Sequence, residues 1–148
     1  MSAAVVLDTS PLGLLVNLSG HPQAVACRTW IRNLEAAGRR IIVPEIADYE
    51  LRRELIRANR TRSLGILDAL CTTHEYLPIT TTAMRIAADL WARARNAGVP
   101  TAGVGALDGD VILAAQATAL GISIVVATEN PGHRARFVPA ELWSNVPP

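Results

Sequence analysis

Four carboxylates stand where the sequence could carry out metal-assisted chemistry. Asp8 directly follows a short apolar run, and Glu50 lies in a helix-like segment after a second run. Asp108 and Asp110 come just before a strongly apolar segment. Carboxylate oxygens are the ligands that Mg²⁺ and Mn²⁺ prefer, with waters and substrate phosphate completing the shell. Acids that converge on one open crevice indicate phosphodiester hydrolysis, in which the metal activates a water and neutralises phosphoryl charge.

Asp8 ends a run whose other members are apolar. Burying an ionised carboxylate there would destabilise the folded protein by about 3–5 kcal/mol unless the carboxylate is paired or binds a cation. The structural alternative is that Asp8 caps the helix that starts near Pro11. Because Ser10 can cap that helix itself, we interpret Asp8 as a functional residue and Ser10 as a supporting one.

Asp108 and Asp110 flank Gly109 at the predicted start of a buried helix, where the helix dipole favours negative charge. One of them could simply cap that helix. A second carboxylate at the same helix end would add like-charge repulsion, which a divalent cation would relieve. We therefore predict Asp110 as a metal ligand, while Asp108 could either cap the helix or support the metal site.

Glu50 borders the apolar face of a helix, next to a stripe of arginines. Its alternative role is a solvated ion pair with Arg53, and the spacing leaves both roles open. Arg53, Arg57 and Arg60 lie close together on the helical wheel and could bind a phosphate backbone. They could equally form a solvated face paired with Glu54.

Composition removes several classes of function. All 14 basic residues are arginine, so the chain lacks the lysine that P-loop phosphate transfer and Schiff-base chemistry need. With 148 residues, 50% of them hydrophobic, a single globular domain over residues 1–148 is expected. No apolar run reaches the roughly 18 residues of a membrane span. The N-terminus does not resemble a signal peptide, so we expect a cytoplasmic protein without membrane association.

Short apolar runs alternate with segments of helical spacing. Strands are predicted at 3–7, 40–43 and 122–127, and at 75–79 as an edge or end strand because of Pro78. Helices are predicted from Ser10 onward and at about 23–37, 44–58, 63–73, 82–97 and 111–120, with a glycine-bearing loop after Pro100. This alternation indicates an α/β sandwich around a mostly parallel sheet. Functional crevices in such sheets lie beyond the carboxyl ends of the strands, where Asp8 and Glu50 would meet.

Four motifs in this order resemble a known family. They are Val-Leu-Asp-Thr-Ser-Pro-Leu (6–12), Val-Pro-Glu-Ile-Ala-Asp-Tyr-Glu-Leu (43–51), Leu-Asp-Gly-Asp-Val-Ile-Leu-Ala-Ala-Gln-Ala (107–117) and Val-Ala-Thr-Glu-Asn (126–130). Together they resemble a PIN domain of the VapC-like ribonucleases of toxin-antitoxin pairs, from Ala3 to about Phe137. The resemblance implies a three-layer α/β/α sandwich with a five-stranded parallel sheet and a Mg²⁺ or Mn²⁺ cofactor. It also implies a single-stranded or structured RNA substrate, an antitoxin protein as partner, and a homodimer.

The resemblance also assigns residues. Asp8, Glu50 and Asp110 match the three acids of the family, which implies that these three are catalytic and hold the metal, and Asp108 would be an additional acid beside the third. Thr128 and Asn130 match the Thr-x-Asn that follows the last long strand in the family.

The chain departs from the family pattern after Asn130. Family members often carry aspartate and then phenylalanine where this chain has His133 and Arg134. His133 could contact phosphate, transfer a proton or be an ordinary surface residue. Loss of this acid also leaves an alternative function open, a catalytically silent PIN-like module that binds RNA or a protein partner.

Overall fold

The computed structural model describes residues 2–98 and 104–148. In these ranges short strands alternate with helices in the order β1 (Ala4–Leu7), α1 (Thr9–Val16), α2 (Pro22–Ala36), β2 (Ile41–Pro44), α3 (Glu45–Arg57), α4 (Thr61–Thr73), β3 (Glu75–Leu77), α5 (Thr81–Asn96), α6 (Val104–Ala119), β4 (Ile124–Thr128), α7 (Pro131–Arg134) and β5 (Ala140–Leu142). A single 3₁₀ turn follows at Trp143–Asn145. In the ranges described, no helix combines the length and apolarity that a membrane crossing needs.

The strands form one sheet in the order β3-β2-β1-β4-β5, and each neighbouring pair is parallel. β1 lies at the centre and all its residues are buried. Asp8 therefore lies in the middle of the carboxyl edge of the sheet, between the ends of β2 and β4. The predicted parallel α/β architecture is confirmed, and β3 is an edge strand that stops before Pro78, as its proline predicted.

Side chains of the strands alternate between two apolar layers, as the period of two in a strand requires. Val5 and Leu7 face the core shared with α1, α2 and α4. Ala4 and Val6 face the core shared with α6, and α5 packs against the outer side of α6. The molecule is thus a three-layer α/β/α sandwich.

Two sequence-based predictions of helix starts are wrong. Asp8, not Ser10, is the N-cap of α1, because the chain turns directly after the strand and the Asp8 carboxylate accepts the Thr9 N–H at 2.8 Å. Helix α6 begins at Val104 instead of Val111. The segment before Val111 was interpreted as a loop because of its glycines, yet it carries Leu107, which is fully buried against α5. Asp108 and Asp110 consequently lie within the helix, beyond its first turn.

The short strand β5 has too little pattern of its own to be predicted from its residues, and the five-stranded sheet is implied only by the family resemblance. Gly98 follows α5 with a φ of +65°, the left-handed conformation that suits a helix end. Pro100 and the first residues of the glycine-bearing loop predicted after it, 101–103, lie outside the described residues.

Gln116 is a buried polar side chain that ties three elements together. It is 1% exposed, its Oε1 accepts the Ile46 N–H at 3.2 Å, and its Nε2 donates to the Leu77 carbonyl at 2.8 Å. Because Pro44 offers no side-chain cap to α3, Gln116 supplies that cap from α6. The bond fixes the start of α3, the helix that carries Glu50, relative to α6, which carries Asp110.

Replacing Gln116 by Leu should lower the free energy of unfolding by about 2–4 kcal/mol, because the Ile46 N–H and the Leu77 carbonyl lose their buried partner. Urea unfolding at equilibrium measures this. Gln23→Leu on the exposed face of α2 is the matched control and should change stability by less than about 0.5 kcal/mol. Equal stability of the two variants would contradict the capping role.

Candidate active site

Asp8 lies at the carboxyl end of β1 and is 2% exposed. Its Oδ1 accepts the Thr9 N–H at 2.8 Å, and its Oδ2 accepts the Thr128 hydroxyl at 2.7 Å. Thr128 ends the neighbouring strand β4, and its hydroxyl oxygen accepts the Asn130 N–H at 3.1 Å. These bonds fix the carboxylate from both adjacent strand ends.

Ser10, Thr128 and Asn130, the predicted supporting residues, all lie at this strand edge. Ser10 Oγ accepts the Glu129 N–H at 3.1 Å, which ties the first turn of α1 to the segment that follows β4. Thr128 holds Asp8 directly, whereas Asn130 contributes its backbone N–H. The three residues stabilise the position of Asp8 and of the turn into α7.

Arg134, the last residue of α7, joins Asp8 to Asp110. Its Nε donates to Asp8 Oδ2 at 2.8 Å and its Nη2 to Asp8 Oδ1 at 3.1 Å. Its Nη1 contacts Asp110 Oδ1. The Arg134 side chain is 15% exposed, against 3% and 7% for the side chains of Asp8 and Asp110. One guanidinium thus pairs with two buried carboxylates that the fold brings together from distant parts of the sequence.

His133 contacts the other oxygen of Asp110. Its Nε2 lies 2.6 Å from Asp110 Oδ2, and Arg136 Nη2 lies 3.2 Å from Nδ1 and 3.3 Å from Nε2 of the same imidazole. With Arg134 on Oδ1, both oxygens of Asp110 have a partner. His133 is therefore part of the carboxylate site in this structure.

Glu50 borders the pair from α3. Its Oε1 accepts the Thr9 hydroxyl at 3.0 Å. Its Oε2 lies so close to Gly109 that a Cβ built at that glycine would be 2.6 Å away. The absence of a side chain at Gly109 lets Glu50 approach α6 between Asp108 and Asp110. Glu50 is thus half-buried beside the Asp8 and Asp110 pair, linked to it through Thr9.

Asp108 occupies a different surface from Asp110. It is exposed and lines a groove between α5 and α6 of about 420 Å³ with Met84 and Trp91. Residues two apart on a helix project in nearly opposite directions. The structure therefore groups Asp110, and not Asp108, with Asp8.

The predicted RNA-binding arginines lie on the surface of α3 and at the start of α4. The Arg53 guanidinium lies over the Tyr49 ring at 5.1 Å, and Arg57 pairs with Glu54 at 2.9 Å. Arg60 is exposed and lines a groove of about 680 Å³ between the end of α1 and the α3–α4 turn. All three side chains are exposed.

The other acids of α3 are used by the scaffold. Glu45 accepts the Ile79 N–H at 2.7 Å. Asp48 accepts the Tyr76 hydroxyl at 2.7 Å and pairs with Arg52 at 3.0 Å. Burial and the bond to Asp48 raise the pKa of Tyr76 above its ordinary value, so this phenol stays protonated as a donor. Glu50 is left as the acid of α3 that faces the site.

The donor set fits a hard divalent cation at Asp8 and Asp110. Both carboxylates pair with the same cationic side chain, and Mg²⁺ commonly binds through one or two carboxylates plus phosphate and water. Within residues 2–98 and 104–148, no three His, Cys, Asp or Glu side chains are grouped closely enough to ligate one ion. Glu50 therefore belongs to the border of the site.

Arg134 is the site residue that sequence reasoning missed. The sequence pattern alone gives it no role. The available signal is the departure from the family pattern, since a histidine and an arginine replace an acid and an aromatic residue after Asn130.

Comparisons with known proteins agree with this architecture. A family model described as PIN domain matches residues 5–136. The fold is similar to VapBC2 from Rickettsia felis bound to a DNA fragment from their promoter, with 18% identity, a TM-score of 0.73, and coverage of 93% of this chain and 97% of that chain. It is also similar to FitAcB from Neisseria gonorrhoeae, with 20% identity, a TM-score of 0.69, and coverage of 96% and 99%. DNA-bound VapBC from Salmonella typhimurium matches at 21% identity and a TM-score of 0.65, over 96% of this chain and 99% of that one. No curated protein matches the sequence.

Asp8→Asn should destabilise the metal-free protein by about 2–4 kcal/mol, because it removes one partner of a buried ion pair, while the asparagine oxygen can still cap α1. Chemical unfolding in EDTA measures the change. Asp89→Asn, which breaks an exposed ion pair with Arg93, is the control and should cost less than about 1 kcal/mol. An Asp8→Asn protein as stable as the control would show that the pairing with Arg134 adds no net stability.

Proposed function

The chain belongs to the PIN-domain family, whose members are generally nucleases, and we propose that it is a Mg²⁺- or Mn²⁺-dependent endoribonuclease. The observation that carries this proposal is the convergence of buried Asp8 and Asp110 at the carboxyl edge of the sheet, with Glu50 beside them. Metal-dependent phosphodiester hydrolysis needs such acids, because the protein must hold the cations that neutralise phosphoryl charge. The whole chain, residues 1–148, would act as one PIN-like domain.

The structural neighbours support a more specific role. Two of them are DNA-bound VapBC complexes and the third is FitAcB. We propose that this chain is likewise the toxin of a type II toxin-antitoxin pair, that it binds an antitoxin protein, and that it forms a homodimer. The cytoplasm is the compartment we expect for such a protein.

Each residue of the site has a separate role in the proposed reaction. Asp8 and Asp110 would hold the divalent cation, which when bound would make the attacking water more acidic and neutralise charge at the phosphate. Glu50 Oε2 would accept the proton that this water loses, while Thr9 fixes the other oxygen of the same carboxylate. Thr128 orients Asp8. Arg53, Arg57 and Arg60 bind the RNA backbone, a sequence-independent contribution that weakens with salt.

A silent RNA- or protein-binding module is the second candidate. The observation that favours it is that two side chains of the protein itself, Arg134 and His133, already pair with Asp8 and Asp110. Acids that are paired in this way could stabilise the fold without taking part in catalysis. The presence or absence of metal-dependent cleavage separates the two functions.

Cleavage of a mixed single-stranded RNA pool by purified protein tests the nuclease. With Mn²⁺ we expect cleavage that EDTA abolishes and that Asp110→Asn lowers by at least about 100-fold, because the cation loses a ligand. Asp110→Asn, purified in parallel, also controls for contaminating ribonucleases, while Asp89→Asn controls for the loss of an unrelated surface carboxylate and should cleave like the wild type. A DNA oligonucleotide of the same sequence should remain intact. Equal cleavage by Asp110→Asn and wild type would identify contamination, and no cleavage by either would favour the silent module.

Gly109→Ala should separate activity from stability. The new Cβ would displace the Glu50 carboxylate, the mobile end of a flexible side chain, and alanine is the better helix former by about 0.5–1 kcal/mol. We therefore expect an unfolding midpoint close to that of the wild type and about a 10- to 100-fold loss of cleavage.

Gly65→Ala in α4 is the matched control, because a Cβ there meets no atom within 4 Å. It should keep full activity. Unchanged cleavage by Gly109→Ala would mean that the close approach of Glu50 to α6 has no part in the reaction.

A further inference from the structure

We propose that Arg134 is an intramolecular counter-ion that closes the carboxylate pair, so that a divalent cation binds only after the Arg134 guanidinium has left Asp8 and Asp110. This inference rests on the proposed function, because it concerns the same acids. It adds a regulatory property: the chain itself supplies the competitor of its cofactor.

The hydrogen bonds of Asp8 show why the two cations exclude each other. An ionised carboxylate has about four acceptor positions. Oδ1 uses its two for the Thr9 N–H and Arg134 Nη2, and Oδ2 uses its two for the Thr128 hydroxyl and Arg134 Nε. The Thr9 and Thr128 donors belong to the capped helix start and the strand end. Arg134 is therefore the partner that must withdraw before Asp8 can ligate a metal.

The Asp110 carboxylate is also occupied by side chains of α7. Its Oδ1 is paired with Arg134 and its Oδ2 with His133. Both partners come from α7, a helix of 4 residues with no buried residue. Moving the two side chains outward would therefore disturb little of the apolar core, and Arg134 would leave a position in which 15% of its side chain already faces solvent.

Charge makes the competition obligatory. Arginine remains protonated throughout the range in which proteins are stable, so a change of pH cannot release it. A guanidinium and a divalent cation in contact with the same carboxylates would repel each other in a site shielded from water. Release of Arg134 therefore has to be driven by the entering cation.

Titration of the purified protein with Mn²⁺ alone, followed by calorimetry, tests the competition. Arg134→Gln should lower the Kd for Mn²⁺ at least about tenfold, which corresponds to about 1.4 kcal/mol. Arg134→Lys keeps one positive charge but cannot span both carboxylates, so its Kd should fall between the two. Arg93→Gln removes the same charge from an exposed ion pair on α5 and should bind Mn²⁺ like the wild type.

A second measurement uses the unfolding midpoint. In EDTA, Arg134→Gln should melt below the wild type, because Asp8 and Asp110 lose their counter-ion, and Mn²⁺ should raise its midpoint by more than it raises that of the wild type. If Arg134→Gln does not fold, as judged by circular dichroism, Arg134→Lys decides the question with both methods.

The outcomes distinguish this inference from the proposed function. An Arg134→Gln Kd equal to or above that of the wild type overturns the inference, and metal-dependent RNA cleavage by the wild type would then leave the nuclease standing. Tighter Mn²⁺ binding by the variant without cleavage by any protein would support the counter-ion and overturn the nuclease. Lack of Mn²⁺ binding by all the proteins would overturn both.

Discussion

A buried carboxylate at the end of the central strand is the constraint around which this molecule is organised. Asp8 is 2% exposed, and leaving its charge unpaired there would cost several kcal/mol, on the order of 3–5. The Asp8 carboxylate accepts hydrogen bonds from donors in the first turn of α1, at the end of β4 and in α7. The last of these donors, Arg134, also reaches Asp110 on α6. Pairing of one charge thus fixes the relative positions of four elements at one edge of the sheet.

A second set of contacts positions Glu50, the third acid, beside Asp8 and Asp110. Gln116 caps α3 from α6, and Gly109 gives α3 room to bring Glu50 against α6. Both residues act on the same pair of helices, one through a buried hydrogen bond and one through the lack of a side chain. The position of Glu50 therefore depends on how α3 packs on α6, whereas Asp8 depends on the strand ends. Two independent parts of the scaffold meet at the site.

The sequence predicted the parts of this arrangement that rest on local patterns. Apolar runs and helix signals were enough for the parallel α/β architecture, for β3 as an edge strand and for Asp8 and Asp110 as acids at one crevice. Ordered motifs added the family and the fifth strand, whose 3 residues carry too little pattern of their own. What failed depended on tertiary contacts. Leu107 makes the glycine-containing start of α6 helical by packing on α5, and Asp8 caps α1 because the chain turns immediately after the strand. Arg134 could not be placed, since the direction of a side chain at the end of a four-residue helix follows from where that helix docks.

The choice between an active nuclease and a silent binding module reduces to one exchange of cations. Moving the Arg134 guanidinium into water loses its bonds to Asp8 and Asp110 but restores its hydration, and Asp8 keeps its bonds to Thr9 and Thr128 throughout. A divalent cation gains twice the charge interaction with the same two acids but must give up part of a tightly held water shell. A phosphodiester would tilt this balance, because its oxygens can replace some of that water and its negative charge can receive the displaced guanidinium. Substrate binding and metal binding would then favour each other, since each supplies what the other needs to hold Arg134 away from the carboxylates.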